Sequence, residues 1–470
     1  MSRSPYVLVC LAAAALLTGC GEGEASAPAG SGGSGSSSSA TSGTGAGTTP
    51  TYHKDVAPLL GEKCVGCHVE GKIAPFALDS YAIAAAMAPS IVEETAARRM
   101  PPFGFQDTAE CQTRLPIKHD LRLTEAQLAM LAEWADAGAP EGDPKDATPV
   151  TPVTTELDRV DADLAPLAPF VTSGDVDQFQ CFVLDPKVTQ KKYVSGMQVV
   201  AGDPAVVHHA LTFRAKRSDV EGEADANGQF QCFGGTGDLV HAWAPGAVAM
   251  ELAEGVGVPI DTDEVFVMQI HYHPAGSAGA SDATHLQVRY AEGKPEYEML
   301  IGLIGNAGDA GDGLLPGPND AGDPSFLIPA NAAGHTETMT YTVPFLGIDH
   351  AKLAMVGTHM HYVGTDMKVD IARVAPDNGD PADECLIQTP EWNFEWQRGY
   401  DYDVDLDALP RAKMGDTFTM RCTYDNTLGN PFVSKALSDQ GMSSPIDVSL
   451  GEQTLDEMCL FVLGFLIPAQ

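Results

Sequence analysis

Two periodicities divide the chain. From Tyr52 to about Asp143 the apolar positions have helical spacing. Thr124-Glu125-Ala126-Gln127 is a capping-box start, Leu128, Leu131, Ala132 and Ala135 form a buried stripe, and Gly138 ends the helix. Further on, the period becomes two. Val265, Val267, Gln269, His271 and His273 share one strand face, and Phe266, Met268, Ile270 and Tyr272 the other. Leu353 to His361 alternates in the same way, with His359 and His361 on one face. Many short strands separated by Gly, Pro and Asp turns predict β-sandwich architecture. The expected fold is multidomain: a small all-α domain, then two antiparallel, jelly-roll-like β-sandwiches.

Composition marks the joints. Residues 21–50 are almost entirely Gly, Ser, Ala, Thr and Pro, a tether with nothing to pack. Residues 144–167, rich in Pro, Thr and Asp, read as a second linker. The expected domains are therefore a helical one at 51–143 and sandwiches at 168–292 and 293–470. The Gly/Asp-rich stretch 305–323 reads as a solvated loop, and its spacing does not fit a calcium-binding loop.

Charge and the chain start narrow the class. With 470 residues and a formal charge of −37, the chain is suited neither to nucleic acid nor to polybasic attachment to anionic lipid. Residues 1–20 read as an export signal, with Arg3 ahead of an apolar run from Tyr6 to Leu17. Leu17-Thr18-Gly19-Cys20 resembles the lipobox of bacterial lipoproteins, which implies lipidation at Cys20; the alternative is an ordinary signal peptide. Gly21 in place of aspartate then implies an outer-membrane lipoprotein facing the periplasm or cell surface. Past this segment no run reaches the roughly 20 apolar residues of a spanning helix, so the lipid is the expected membrane attachment.

Cys64-Val65-Gly66-Cys67-His68 is a C-x-x-C-H motif. In an exported protein its two thiols attach haem covalently and the histidine is the proximal ligand. Met100, presented by Arg99-Met100-Pro101-Pro102, is the preferred sixth ligand over Met87 and Met130. The competing readings are a disulfide or half of a zinc site, and no second cysteine pair lies nearby. Segment 52–143 resembles a small class I cytochrome c, which implies one-electron transfer. Cys111, Cys181, Cys232, Cys385, Cys422 and Cys459 remain, an even set suited to disulfides in an oxidising compartment.

The histidines suggest a second redox metal. His208-His209, His271 and the pair His359/His361 offer imidazoles in tight groups, and Met458 offers a thioether, a donor that favours cuprous copper. His359 and His361 converge naturally. His208 and His209 do not, because neighbours on a regular strand point to opposite faces. Either the strand is bulged or twisted there, or the rings use different nitrogens. His273 shares a face with His271 and reads as a supporting residue. His241 reads as structural, and His53, His119, His285, His335 and His350 as surface or loop residues.

His208-His209, Gln269-Ile270-His271-Tyr272, His359-Met360-His361-Tyr362-Val363-Gly364, Cys422-Thr423-Tyr424 and Glu457-Met458-Cys459 occur in an order that resembles the copper type II, ascorbate-dependent monooxygenases. That family includes dopamine β-monooxygenase and peptidylglycine α-hydroxylating monooxygenase. The resemblance covers roughly residues 170–470. It implies two sandwiches facing a solvent cleft, an electron-transfer copper on His208, His209 and His271, and an O2-binding, catalytic copper on His359, His361 and Met458. Gln269 matches a glutamine near the first copper in the peptide-acting branch. The resemblance also implies disulfides Cys422–Cys459 and Cys181–Cys232, leaving Cys111–Cys385 by subtraction.

The peptide-acting branch anchors its substrate's carboxylate with an arginine two residues before H-x-H and with Asn and Tyr after the methionine. Here those positions are Gly357, Leu460 and Val462, which suits a more apolar substrate. The expected activity is hydroxylation of an aliphatic C–H bond of a small molecule with O2, using electrons from ascorbate, the haem domain or a periplasmic donor. The alternative is a non-catalytic electron-transfer or copper-sequestering protein.

Overall fold

A computed structural model of the chain describes residues 49–70, 74–147, 156–173, 177–232, 235–245, 247–273, 279–305, 313–451, 453 and 455–470. The export signal, Cys20 and nearly all of the 21–50 tether lie outside them, as do parts of the 144–167 linker and the 305–323 loop. The described chain is mostly β-structure in several sheets, preceded by short helices.

The helices are α1 (Ala57–Lys63), α2 (Tyr81–Ala86), α3 (Ala88–Ala96) and α4 (Glu125–Asp136), with a single wide turn, Tyr52–Val56, leading into α1. The capping box forms as expected: the Thr124 hydroxyl accepts from Gln127 N–H and the Gln127 side chain accepts from Thr124 N–H. Gly138, at φ +82°, takes the left-handed conformation that ends the helix. Leu131 is fully packed, but so is Trp134, which the predicted stripe omitted. These helices share a core of their own, centred on Val56, Leu60, Ala84, Ile91, Leu131 and Trp134.

The middle of this region belongs elsewhere. Phe103, Phe105 and Ile117 are buried in the core of the sandwiches, not in that of the helices. Phe105 N–H donates to Tyr400 Oη (3.2 Å), and Arg114 pairs with Asp380 and Glu384 at 2.7 and 2.8 Å. The Cys111–Cys385 disulfide joins residues 274 positions apart. A segment assigned from sequence to the helical domain is thus fastened to the second sandwich.

The first sandwich uses β1 (Gln178–Leu184), β2 (Lys192–Val200), β3 (Val207–Lys216), β4 (Asp238–Trp243), β5 (Val256–Ile260), β6 (Glu264–Tyr272) and β7 (His285–Tyr290). One sheet runs β1-β6-β3-β4, and in the other β7, β2 and β5 are neighbours. The second sandwich uses β8 (Tyr297–Gly305), β9 (Ala333–Thr342), β10 (Ala351–His359), β11 (Gly364–Ala372), β12 (Asp383–Thr389), β13 (Gly399–Asp401), β14 (Thr417–Asp425) and β15 (Leu460–Pro468). Its sheets run β8-β15-β10-β13 and β9-β14-β11-β12. Parallel pairing of β5 with β8 makes a single long sheet common to both sandwiches.

Alternation explains the layers. Phe266, Met268, Ile270 and Tyr272 of β6 enter the main core, while Val265 and Val267 enter a smaller cluster around the Cys181–Cys232 disulfide. In the second sandwich Met367, Val369 and Ile371 of β11 and Phe418 and Met420 of β14 share a core with Leu353 and Val356 of β10. The Cys422–Cys459 disulfide joins the end of β14 to the start of β15.

Candidate metal centre

His208, His209 and His271 come together on β3 and β6. One ring nitrogen of each lies within 4.8 Å of the others, and the three ring centroids are 4.9–5.2 Å apart. A bulge resolves the parity problem: pairing steps from His271↔His209 to Tyr272↔Val207, so His208 is the extra residue. His208 Nδ1 and His209 Nδ1 are then 3.1 Å apart. His271 Nδ1 is buried without a hydrogen-bond partner among the described residues, an orphan that a metal ion would satisfy.

His208 and His209 are held neutral. Burial, reinforced by the neighbouring His271, pulls His208 down to about 4. Burial and the same neighbours hold His209 well below the usual histidine value. Neutral rings are what a metal needs. Asp177 bridges the rear of the cluster, with Oδ2 3.2 Å from His271 Nε2 and Oδ1 2.5 Å from His273 Nδ1. Burial works to raise the Asp177 carboxyl, but its contacts with His271 and His273 outweigh this and hold it well below the usual range. His273 therefore meets the cluster through a shared carboxylate.

His359 and His361 form a second group, with ring centroids 5.2 Å apart. Each Nδ1 is occupied: that of His359 meets Gln397 Oε1 at 2.6 Å and that of His361 meets the Asp456 carbonyl at 2.9 Å. These acceptors fix the proton on Nδ1 and leave both Nε2 lone pairs for a metal. Burial, then the adjacent His361, pulls His359 down to about 3, and burial also lowers His361.

Met458 is tied to this strand through its backbone. Strand β15 pairs His359 with Leu460, and continuing that register sets Met458 opposite His361. Fully buried Glu457 accepts from the backbone N–H groups of His361, Val363 (3.2 Å) and Met458 (2.7 Å). Tyr424 Oη donates to the Met458 carbonyl at 3.1 Å, and the neighbouring Cys459 is bonded to Cys422. Burial pushes the Glu457 carboxyl up to about 8 against these donors. At Gly357, a Cβ would come within 3.2 Å of the Arg398 carbonyl, so no side chain stands there.

The two groups face each other closely. The Phe394 ring is stacked 6.1 Å from His208 and stands edge-on 6.3 Å from His361, with Tyr362 at 4.3 Å. Trp392 Nε1–H donates to the His361 carbonyl at 3.1 Å. One segment, 392–397, thus contacts both histidine groups. Sequence reasoning missed Asp177, Trp392, Phe394 and Gln397. The only visible signal was the aromatic spacing of Glu391-Trp392-Asn393-Phe394-Glu395-Trp396.

The remaining positions fall as follows. Gln269 is buried and directs Nε2 to Cys232 Sγ at 3.7 Å, two residues along β6 from His271. His241 is buried in β4. His335 is buried too, not a surface residue, and meets Glu337 at 2.7 Å. In the helical region the Cys64–His68 turn is closed by His68 N–H donating to the Cys64 carbonyl (2.9 Å). Cys64 and Cys67 stand outside the three disulfides, and burial pushes the Cys64 thiol up to about 12. His68 Nδ1 meets the Phe76 carbonyl at 3.1 Å, so Nε2 is the ring nitrogen outside that contact. Met100 lines a cavity between this region and the second sandwich, and Met87 and Met130 pack against the helical core.

Residues 170–277 match the family described as copper type II ascorbate-dependent monooxygenase, N-terminal domain. That span contains His208, His209 and His271, while His359, His361 and Met458 lie beyond it. No curated protein matches the chain. Among solved structures, the major capsid protein P2 from bacteriophage PM2 is similar at 8% identity and a TM-score of 0.27, covering 66% of this chain and 98% of that one. A putative secreted protein from Eubacterium rectale is similar at 11% identity and a TM-score of 0.18, covering 63% and 68%. At these scores the structural likeness carries no argument.

Proposed function

We propose that the chain is a copper-dependent monooxygenase that inserts one oxygen atom from O2 into an aliphatic C–H bond of a small molecule. The observation that carries this reading is the pairing of two dissimilar histidine groups one aromatic ring apart, the first of them inside the span that matches the copper family. Copper would supply the redox chemistry and the activation of oxygen. His208, His209 and His271 would hold the electron-transfer ion, and His359, His361 and Met458 the ion that meets oxygen and substrate.

The surrounding residues have defined tasks in this reading. Asp177 orients His271, Gln397 and the Asp456 carbonyl orient His359 and His361, and Glu457 holds the Met458 backbone against the H-x-H segment. With Gly357, Leu460 and Val462 near the second group, the substrate is less polar than a peptide carboxylate. Cys64, Cys67 and His68, with Met100 as sixth ligand, would carry a covalent haem in a cytochrome c-like domain; the His68–Phe76 hydrogen bond suits that role. Electrons come from ascorbate, from a periplasmic donor through the haem, or from both. Lipidation at Cys20 would keep the enzyme on the outer membrane.

The test is metal content with coupled turnover. The expected result is two copper ions per chain, with ascorbate-dependent O2 uptake matched by a hydroxylated product from a metabolite screen. One tightly held copper without O2 uptake would replace this reading with copper sequestration.

A further inference from the structure

The resemblance to the copper family implies two histidine groups across a solvent cleft, and here a side chain stands between them. The Phe394 ring lies 6.1 Å from that of His208, inclined by 17°, and 6.3 Å from that of His361, inclined by 89°. Among the described residues it is the aromatic side chain that contacts a candidate ligand of both groups. His208 is the bulge residue of β3, so the ring that Phe394 meets is the one the strand irregularity turns toward the cluster.

The backbone that carries Phe394 is tied to the second group. Trp392 N–H donates to the Thr365 carbonyl at 2.9 Å, and its Nε1–H to the His361 carbonyl at 3.1 Å. Asn393 Oδ1 accepts from the Glu395 N–H at 2.8 Å and starts the short turn Phe394–Trp396. Gln397 closes the segment. Its Nε2–H donates to the Phe394 carbonyl at 2.9 Å, while its Oε1 accepts from His359 Nδ1 at 2.6 Å. One amide thus fixes a candidate ligand and the backbone of the intervening ring together. Tyr362 packs on that ring at 4.3 Å. Burial, then the Asp177 carboxylate of the first group, pushes the Tyr362 phenol up to about 12, so it stands beside Phe394 as an uncharged wall.

We infer that Phe394 is the bridge over which an electron crosses from the His208/His209/His271 group to the His359/His361 group. The inference rests on the two-copper reading above. Electron tunnelling weakens steeply with distance, and less steeply through packed atoms than through water. The path here runs from imidazole to phenyl to imidazole, and its outer rings belong to candidate ligands. The through-space steps are therefore the two contacts of the Phe394 ring. Phe394 itself is neither oxidised nor reduced. In the crossing one electron leaves copper at the first group, cuprous becoming cupric, and reduces copper at the second, cupric becoming cuprous. No bond forms or breaks. Ascorbate, oxidised by one electron to its radical, then restores the first group.

The experiment uses the full chain with cupric copper at both groups, mixed anaerobically with increasing ascorbate and freeze-quenched for EPR. Spectra of His208→Ala and His361→Ala assign the cupric signal of each group. The signal of the second group should decay at a rate that levels off as ascorbate rises, because the crossing and not the encounter with ascorbate limits it. Phe394→Leu should lower that plateau several-fold while decay of the first signal, copper content and the unfolding temperature stay unchanged. Phe394→Tyr, which keeps the ring, should keep the plateau. If Phe394→Leu does not fold, Phe394→Met carries the same test. A plateau unchanged in the leucine or methionine variant overturns the bridge and leaves the two-copper reading intact. A second signal whose decay keeps rising with ascorbate overturns it in the same way, because that group is then reduced directly. A chain that holds fewer than two copper ions removes the function proposed above, and the bridge with it.

Discussion

The two histidine groups reach similar convergence by opposite means. On β3 an irregularity is required: the bulge at His208 turns two sequence neighbours to one side. On β10 the register slips earlier, between Leu353 and Met355, but runs unbroken from Met355 to His359, and His361 stands two residues on, just past the strand. Their supports differ as well. Behind His271 stands a carboxylate, Asp177, whereas His359 and His361 rest on a neutral amide and a backbone carbonyl. A nearby negative charge stabilises the more highly charged metal state, and neutral partners with a thioether favour the lower one. On the function proposed above, the first group would pass an electron on and the second would hold reduced copper ready for oxygen.

The bluntest way to break this comparison is to remove one ligand from the second group. His361→Ala should reduce hydroxylation to background while one copper per chain stays on the first group, as read by metal analysis and EPR. If both ions were lost together, the two groups would be one interdependent site.

The disulfides should separate the groups next. The Cys422–Cys459 and Cys181–Cys232 links have sequence separations of 37 and 51, so opening either should cost about 4 kcal/mol of stability by loop entropy. Their effects on metal should differ. Cys459 adjoins Met458, so Cys422→Ser/Cys459→Ser should also lose the second copper. Cys181→Ser/Cys232→Ser should lower the unfolding temperature with both ions retained. Equal copper loss in the two variants would remove the special place given to Cys459.

A finer contrast lies in the supporting residues. Asp177→Asn should weaken copper at the first group by roughly 10–100-fold, the usual effect of losing a partner that orients a metal-bound histidine. It should also raise that copper's reduction potential, because a negative charge is gone. Gln397→Leu should weaken the second group with little change in potential, since no charge is removed. Redox titration of the two variants compares them directly; equal shifts would mean that the Asp177 charge is not felt at the metal.

How much of this could be read from sequence depends on the range of the forces involved. The alternation on β6 and the Thr124 capping box are local patterns, and the structure shows them where they were expected, whereas β10 slips register between Leu353 and Met355, so that Leu353 and Val356 both enter the core. The His208 bulge was legible only as a conflict between a ligand pair and strand parity. Phe103, Phe105 and Ile117 look like any apolar residues near helices, and only tertiary packing places them in a distant sandwich. The same holds for Trp392, Phe394 and Gln397, which act across the chain and follow no period. Glu457 was visible within a motif, but its role of accepting from the backbone N–H groups of His361, Val363 and Met458 could not be inferred from its spacing.

The smallest expected effect separates burial from metal binding. His241 is a buried imidazole outside both groups, and burial pulls it down to about 4, much as it does His208. In the unfolded chain a histidine titrates near 6.5. Between that value and 4 the unfolded state takes up a proton that folded His241 refuses, so the histidine's contribution to stability falls as pH decreases. The loss should be on the order of 2 kcal/mol between pH 6.5 and 5, a window that stays above the usual carboxylate range. In the copper-free protein, His241→Gln should flatten the pH dependence of the unfolding temperature by that amount without altering later copper uptake. His208→Gln should flatten it similarly and also abolish uptake at the first group. If only His208→Gln flattened the curve, the depression would belong to the cluster of imidazoles and not to burial, and the likeness drawn between His241 and the candidate ligands would fail.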